Sequence, residues 1–507
     1  SYTVFAGANY SHVEGTETWN NENYQFPQSL FDRESYSKNS YRNHQEYMQF
    51  RYQNQKGKRY WVGKFTLVNL STPRNASSGF ARESTETDIF SNIRKKSLSP
   101  KIDLNANLPL SKNQTLTLGV HGKYSANSYH RLYQEQPFEA MTDEDEKALW
   151  FQLSAIYNYF SQKHSLSVEL FHYHDVWNAD YSGNCELWQH LWKGESLAFF
   201  SYNFQASRRL SLKTRIGLDW LQYHLHGDNS FSQLSPRINT NVQYQLNKGM
   251  LLWSFNFVNS NHGMDVINRA MIQVNSHMME KGMPELKKSH DINTYLYYMG
   301  RFNRLSVSAI GQFRYNHHPV TDDYYLDEAN GKIVKTYSNG GNAQYYSAIL
   351  ALQYKLCKFA NLSGDIRYSH AEVKTTWSKH NNNLTGNLGL NMFMGDFALK
   401  PYLHFGKKSL DEAAWVISKT PIDYGMSCSY SRGNLYVELQ AASPFKKQEK
   451  RYWLDLPIYS YSKSIKDQTA SQYASIKVAY SFDFGRKTQK VEKDVNKNIN
   501  SSLLRVE

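Results

Sequence analysis

The stretch TLTLGVHGKY, Thr115 to Tyr124, alternates apolar and polar side chains along its whole length. Leu116 and Val120 fall on one side of the alternation, and Lys123 falls on the other. Successive side chains of a β-strand point to opposite faces of its sheet. The stretch therefore predicts a strand with one apolar and one polar face.

The same period of two recurs from one end of the chain to the other. Further examples are Ile238 to Leu246, Leu305 to Tyr315, Leu362 to Tyr368 and Ala474 to Phe484. The apolar faces last about 9–11 residues, the length of a tilted strand that crosses a bilayer, and several end in Tyr or Trp. Sandwiches and propellers do not need a polar face along every strand. We therefore predict an all-β fold, a transmembrane antiparallel up-and-down barrel of about 20–22 strands.

Composition supports this prediction and excludes other classes. The 507 residues are 40% hydrophobic yet include 38 Tyr, 26 Phe and 11 Trp, whereas a soluble protein is about 45–50% apolar. No stretch approaches the roughly 18 unbroken apolar residues of a membrane helix. Cys185, Cys357 and Cys428 are odd in number and far apart, which argues against a disulfide framework or a cysteine zinc site.

The net charge limits the kinds of binding partner to be expected for this chain. Lys and Arg number 58 against 45 Asp and Glu, a net charge of +13. Such a surplus suits nucleic acid, but no nucleic-acid motif accompanies it, so we expect no nucleic-acid partner. Outer-membrane lipid and lipopolysaccharide are the anionic partners that fit a barrel.

Connection lengths agree with a barrel, because outer-membrane barrels have short periplasmic turns and long extracellular loops. Tight turns are predicted at Lys56-Gly57, Lys112-Asn113, Gln162-Lys163, Arg208-Arg209, Asn247 to Gly249, Arg301 to Asn303, Cys357-Lys358, Gly395-Asp396 and Gly433-Asn434. Long connections are predicted at Glu14 to Gln45, Ser71 to Ser97, His130 to Ala148, Ser260 to Ser289, Pro319 to Asn342 and Ala442 to Gln472. The barrel is predicted over residues 1–485, and the polar residues 486–507 are predicted to form a mobile periplasmic tail.

Four segments of the second half carry a family resemblance. They are LSPRINTNVQYQL (Leu234 to Leu246), KGMPELKK (Lys281 to Lys288), ASPF (Ala442 to Phe445) and the polar C-terminal stretch. In the second of them Gly282, Pro284, Leu286 and Lys287 match the signature G-N-P-x-L-K-P, whereas Met283 and Lys288 depart from it. The chain resembles the barrel of a TonB-dependent outer-membrane transporter of the Bacteroidota type.

The resemblance implies energy-coupled import of a scarce solute. Transporters of this family have 22 strands, an N-terminal plug inside the barrel and a motif that engages the TonB complex. Neither plug nor motif is found in this sequence, so we expect the plug and first hairpin to belong to upstream sequence. Siderophore, peptide, glycan, vitamin and haem remain open as solutes. The tailed end argues against the paired glycan importers, and a surface lipoprotein is a further possible partner.

Other function classes stay open. One is a non-transporting surface barrel, either an adhesin or a scaffold for surface lipoproteins, and another is an open diffusion porin. Outer-membrane enzymes are smaller barrels with a compact set of Asp, His and Ser residues at the rim. No such set stands out, so we predict no enzymatic activity.

Two groups of candidate site residues follow from the pattern. Charged side chains on the lumen face line a substrate path, hold a plug by ion pairs, or form a solvated wall paired across strands. Loop aromatics either stack on a ligand or pack the loops together. The first group is His121, Lys123, Lys213, Arg215, Asp219, Arg237, Arg314, Asp365, Arg367 and Lys477. The second group is Trp19, Tyr24, Phe26, Trp188, Trp192, Tyr324 and Tyr325.

Two further patterns suggest metals. The pairs His172 with His174 and His224 with His226, together with His190 and Cys185, have the residue types of a metal or haem site. Strand parity places the two pairs on the lipid-facing side, just above the membrane, where contact with lipopolysaccharide phosphates is expected instead. The run Asp143 to Glu146 either binds calcium or is a solvated loop tip. We predict no metal and no cofactor.

Overall fold

The computed structural model describes residues 1–26, 29–228, 230–260, 262–445, 448–466, 472–480 and 495–499. Its main sheet contains β1 (Tyr2–Phe26), β2 (Ser29–Lys56), β3 (Arg59–Arg82), β4 (Glu86–Ser111), β5 (Gln114–Glu135), β6 (Phe138–Phe160), β7 (His164–Gly183), β8 (Leu187–Gln205), β9 (Leu210–Leu225), β10 (Phe231–Leu246), β11 (Gly249–Ser260), β14 (Ser289–Phe302), β15 (Leu305–His317), β18 (Asn342–Cys357), β19 (Ala360–Lys374), β20 (Ser378–Met394), β21 (Phe397–His404), β22 (Lys407–Asp411), β23 (Val416–Thr420), β24 (Asp423–Arg432), β25 (Leu435–Ala442), β26 (Glu449–Asp455), β27 (Tyr459–Lys466) and β28 (Tyr473–Tyr480). A second sheet contains β12 (Met271–Gln273), β13 (Met278–Lys281), β16 (Thr321–Asp327) and β17 (Lys332–Ser338), and the helix α1 (Met264–Ile267) precedes it.

The main sheet is antiparallel and has 24 strands among the described residues, which confirms the predicted all-β class. The tight turns predicted from the sequence are present at one end of it. Four short strands, β22, β23, β26 and β27, lie at the other end, and the remaining twenty run to the end with the tight turns.

Several connections predicted as long loops are strand instead. The strands β1 to β4 are 25, 28, 24 and 26 residues long, so the predicted loops Glu14 to Gln45 and Ser71 to Ser97 are almost wholly strand. The loop predicted at His130 to Ala148 is likewise part of β5 and β6. The pairing continues because alternate side chains of these extensions still find a buried face. The strands β1 to β4 therefore extend about 40 Å farther along the strand direction than shorter strands such as β15, at 3.3 Å per residue, and we call this side the tall wall.

Apolar side chains on the outward face are exposed, as a lipid-facing surface requires. Along β18, Tyr346, Leu350 and Tyr354 are each 43% exposed, whereas Ser347 on the opposite face is 6% exposed. The same alternation holds for Leu118 and Val120 of β5. The face predicted to meet acyl chains is thus on the outside of the sheet.

Two edges of the main sheet lack a second strand partner in the described residues, and we call them the seam. The outer half of β1, from Glu17 to Tyr24, pairs with β27, whereas its inner half, from Tyr2 to Glu14, pairs with β2 alone in the described residues. The last strand, β28, pairs with β25 and with no second strand in that same part of the chain. Each edge therefore leaves backbone groups without a strand partner.

The described part of the chain contains only one helical turn, α1, and no helix long and apolar enough to span a bilayer. Most of the predicted tail lies outside the described residues. Its residues 495–499 contact the inner face of the wall, where the Lys101 Nζ donates to the Asn496 carbonyl at 2.9 Å. The Lys497 Nζ lies 4.3 Å from the centroid of the Tyr47 ring.

We predict opposite outcomes for a charge placed on the two faces of β18. Arginine at Leu350 has to face lipid, at a cost of about 2–4 kcal/mol near the membrane midplane. Arginine at Gln353 has to face the polar interior and is tolerated. Denaturant unfolding of Leu350→Arg and Gln353→Arg in lipid vesicles measures the difference. Equal destabilisation of the two variants would contradict the assignment of faces.

Candidate functional site: a capped mouth above a polar wall

The outer end of the barrel is covered by two connections that fold inward. We call residues 262–288 and 318–341, which contain α1, β12, β13, β16 and β17, the mouth cap. Strand β13 pairs in parallel with β17, so the two connections form one sheet. The cap is thus a single folded unit built from separate parts of the chain.

Hydrogen bonds join the first cap segment to the opposite side of the wall. The Arg131 guanidinium of β5 donates to the Gln273 and Val274 carbonyls at 2.9 and 2.6 Å. The Asn275 amide donates to the Tyr24 hydroxyl of β1 at 3.1 Å. Because this segment leaves the wall at β11, it crosses the mouth.

Two apolar clusters hold the cap to the wall. In the first, Met264, Ile267 and Leu286 of the cap pack with Trp177 and Leu191 of β7 and β8. These side chains are buried, and each Met, Ile or Leu contributes about 1.5–3 kcal/mol of apolar burial. The cap is therefore attached to the wall by a buried apolar interface.

The second cluster lies on the other side of the mouth. Here Met278, Tyr324 and Ile333 of the cap pack with Tyr24, Trp415 and Tyr459 of the wall and its outer extension. The Trp415 indole also donates to the Asp322 carbonyl at 2.7 Å. The cap is thus attached at both sides.

The KGMPELKK segment anchors the cap to β9. A Cβ on Gly282 would lie 2.3 Å from the Asn268 carbonyl oxygen, so only glycine fits this position. Leu286 is buried, and the buried Lys288 donates to the Asp219 carboxylate at 2.9 Å. Lys288, which departs from the family signature, therefore makes the ion pair that ends the cap.

The predicted lumen residues Asp219 and Arg237 belong to this anchor. Asp219 is fully buried and accepts from Arg237 Nη2 at 2.7 Å as well as from Lys288. Arg237 also pairs with Glu195 at 3.0 Å. The structure thus uses these two residues to bind the cap.

Other predicted lumen residues pair across strands. His121 contacts Asp103 at 2.7 Å, and the Lys123 ammonium lies 5.8 Å from the centroid of the Trp150 ring. Arg215 forms an ion pair with Glu169, and its Cζ lies 3.6 Å from the centroid of the Phe199 ring on the neighbouring strand. Lys213 is exposed.

The part of the wall formed by β14 to β28, which we call the far wall, is more open. Arg314 pairs with Asp291, the Asn387 amide donates to Asp365 at 2.9 Å, and Arg367 is exposed. The Lys477 ammonium lies over the Tyr436 ring of β25, 5.8 Å from its centroid.

A recess of about 700 Å³ lies on this far wall. Its polar lining includes Asp365, Lys400, His404 and Glu438. Of the predicted lumen residues, Asp365 is the one that lines it among the described residues. A recess of mixed charge in the bore offers a place for a polar solute to dwell.

Three predicted aromatics come together where the cap packs against the wall. The Tyr24 ring centroid lies 5.1 Å from that of Tyr459 and 6.5 Å from that of Phe26, and Tyr324 lies 5.5 Å from Tyr459. The other four lie apart: Trp19 against Tyr36, Trp188 against His226, Trp192 against His174, and Tyr325 exposed on the cap. The grouped aromatics pack the cap to the wall.

The histidine pairs lie on the outward face. His172 and His174 alternate with the buried, inward Asp175 and stack near Phe151. The other members are His190 beside Asn178, His224 beside Ser230, His226 beside Trp188, and Cys185 against the first apolar cluster. No group of three or more potential metal ligands occurs within the described residues.

The acidic run is divided between two faces. Glu144 and Glu146 are buried on the inner face, where Glu144 accepts from the Tyr181 hydroxyl at 2.8 Å. Asp143 points outward and pairs with His130. Its alternate carboxylates therefore do not converge on one ion.

A buried ion network near the cap was not predicted from the sequence. The Arg33 guanidinium donates to Glu22 at 2.6 Å, to Glu135 at 2.9 Å and to the Tyr133 hydroxyl at 3.0 Å. All four side chains are buried. Because Arg33 and Glu135 lie 102 positions apart, only the strand order brings them together.

A second network lies inside the cap. Lys335 of β17 lies 3.4 Å from Asp322 of β16 and 3.5 Å from Glu280 of β13. Burial raises the pKa of Asp322 to about 6, with Lys335 opposing the shift and Glu280 adding to it. The cap therefore holds a buried carboxyl group whose pKa lies well above its usual value, because burial disfavours its charged form.

The comparisons with known proteins support the fold. No family model and no curated protein matches the chain. The copper transporter OprC superposes with a TM-score of 0.56 at 9% identity, over 90% of this chain and 80% of that one. The siderophore receptor PirA from Pseudomonas aeruginosa gives 0.52 at 12% identity, over 89% and 80%. A ferric enterobactin receptor, PfeA, from the same organism gives 0.52 at 11% identity, over 90% and 81%.

These structures are TonB-dependent receptors, and at such identities the similarity shows the fold alone. The chain shares their antiparallel β-barrel fold. The similar structures are transporters or receptors.

We predict that Arg33→Met destabilises the tall wall by about 3–5 kcal/mol, because it leaves two buried carboxylates without their guanidinium. Adding Glu22→Gln and Glu135→Gln to this variant restores part of the loss. Arg82→Met is the matched control, since Arg82 and Glu86 are about half exposed and such pairs contribute under about 1 kcal/mol. Hydrogen exchange of the β1–β2 amides measures the local free energy of unfolding, and equal losses for Arg33→Met and Arg82→Met would refute the network.

We predict that the cap becomes less stable as the pH rises through 6. The pKa of Asp322 is higher in the folded cap, about 6, than in an unfolded chain, about 3.9. Its contribution is therefore fully present below pH 4 and is lost as the pH rises past 6. Hydrogen exchange of β16 and β17, corrected for intrinsic rates, should show this slope in the parent and not in Asp322→Asn. The neighbouring Asp323→Asn should keep it.

Proposed function

We propose that the chain is the barrel of a TonB-dependent transporter that imports a scarce solute across an outer membrane. The observation that carries the proposal is the mouth cap, which crosses the outer end and is packed to both sides of the wall. A closed mouth above a polar bore suits a gated importer. It argues against an open diffusion porin, whose mouth has to admit solute at all times.

The cap and the bore suit successive steps of import. Solute reaches the outer surface, the cap moves aside, and the polar wall with its recess near Asp365 and His404 receives the solute. Cross-strand ion pairs partly neutralise the charged groups of this wall. Copper and siderophores are carried or recognised by the similar structures, and we propose a siderophore, peptide, glycan or similar solute for this chain.

We propose further that a plug domain and a first hairpin encoded upstream complete the barrel. The support is the seam, where the inner half of β1 and the strand β28 each lack a second strand partner in the described residues. Lipid cannot satisfy these backbone groups, so an intervening hairpin fits the seam. The TonB complex then acts on the plug, and a surface lipoprotein is a possible additional partner.

The test locks the cap with a reversible cross-link. The Thr321 and Thr375 hydroxyl oxygens, one on the cap and one on the wall after β19, lie 3.2 Å apart. We predict that Thr321→Cys/Thr375→Cys in the full-length gene product forms a disulfide. Oxidation then lowers solute-dependent growth or uptake at least tenfold, and a reductant restores it. Candidate solutes are supplied singly to cells that depend on the transporter and on TonB.

The matched control is Ser409→Cys/Ser418→Cys. These hydroxyl oxygens lie 2.9 Å apart on β22 and β23, so the disulfide forms within the wall and leaves the cap free. Both pairs are made after replacing Cys185, Cys357 and Cys428 with serine. Normal uptake with the cap fully cross-linked would reject cap movement, and uptake independent of TonB would reject energy coupling.

A further inference from the structure

Three arginines lie side by side on the outward face of the tall wall. Arg42 of β2 pairs directly with Arg74 of β3. On β3 the register shifts between Thr72 and Asn75, which places Arg74 beside Arg94 of β4. We call Arg42, Arg74 and Arg94 the cationic row. Neighbouring strands are about 4.8 Å apart, so the three arginine side chains leave the wall from neighbouring positions.

The cationic row points away from the barrel interior. On β4, Ile93 is buried on the inner face, whereas Arg94 is exposed on the face that continues to Leu98 and Ile102. These two apolar side chains are 47% and 49% exposed, as expected for lipid contact. Lys96 lies on the same face between Arg94 and Leu98, and it is exposed.

No carboxylate in the described residues forms an ion pair with the cationic row. The acids nearest its two ends are already paired, Glu14 with His12 at 2.9 Å and Asp143 with His130. Like charges directly opposite each other on neighbouring strands destabilise a sheet. The row therefore has an electrostatic cost that an external anion would remove.

Along β4, apolar side chains are followed by basic ones, which matches the acyl chains and charged headgroup of an amphiphilic lipid. Leu98 and Ile102 face acyl chains, Lys96 lies about 7 Å above Leu98, and Arg94 lies about 13 Å above it along the strand. Arginine binds phosphate through two parallel hydrogen bonds, which suits a row of guanidinium groups. The next part of the wall differs, because the paired residues Asp145 and Asp180 of β6 and β7 face outward at a similar height.

We propose that the cationic row and Lys96 bind the phosphate groups of one lipopolysaccharide molecule, whose acyl chains lie against Leu98, Ile102 and the neighbouring Phe50. The binding site is confined to β2–β4 because acidic side chains follow on β6 and β7. This proposal rests on the placement of the barrel in an outer membrane and not on its solute, so failure of the cap experiment leaves it standing.

The test measures lipid binding to the full-length protein in detergent by native mass spectrometry. The variant is Arg42→Gln/Arg74→Gln/Arg94→Gln. The control, Lys407→Gln/Lys419→Gln/Lys450→Gln, removes the same charge from exposed positions on β22, β23 and β26. The probes are rough lipopolysaccharide, the same lipid dephosphorylated with hydrofluoric acid, and phosphatidylglycerol. Resistance to unfolding in sodium dodecyl sulfate confirms that both variants are folded.

We expect the arginine variant to bind lipopolysaccharide at least tenfold more weakly than the parent, and the lysine control to bind it within twofold of the parent. The parent should lose a similar factor for the dephosphorylated lipid. Unchanged binding by the arginine variant, or equal losses in both variants, would overturn the proposal. Equal losses of lipopolysaccharide and phosphatidylglycerol by the arginine variant would show a general anionic-lipid surface instead, which also contradicts it.

Discussion

In lipid, every backbone N–H and C=O has to find a partner within the protein. Except at the seam, the twenty strands that reach the tight turns meet this requirement through their ladders, and the period of two then decides which side chains meet lipid. Polar residues such as His121 and Asp365 are thereby placed inside, and apolar residues such as Leu118 and Leu350 outside. The seam between β1 and β28 is where the described ladders stop.

The fold class could be predicted from the sequence because the ladder constraint is local. Each apolar or polar choice is visible within one strand, and each tight turn lies in two to four residues. The heights of the strands could not be predicted in this way. Residues from Thr18 to Asn39 have no uniform apolar face, so the pattern indicated a loop, whereas pairing across β1 and β2 keeps them in strand.

The site was less accessible to prediction, for a related reason. Strand parity identified Asp219 and Arg237 as inward charges, but their partner Lys288 lies at the end of a connection whose path has no periodic signal. Arg33 is a stronger case, since its acceptors lie in β1 and β5 and nothing near it in the sequence marks it as buried. The resemblance in KGMPELKK drew attention to the correct segment, although the residue that departs from the signature makes the anchoring ion pair.

The two apolar clusters beneath the mouth cap have a mechanical consequence. Detaching the whole cap exposes at least six large side chains, at a cost of roughly 10–20 kcal/mol, so spontaneous full detachment is negligible. Releasing only the cluster around Ile333 needs about half that work, while the cluster around Ile267 remains as a hinge. The smaller motion is a rotation of the cap about its remaining attachment. It opens half of the mouth while the cap stays bound to the wall.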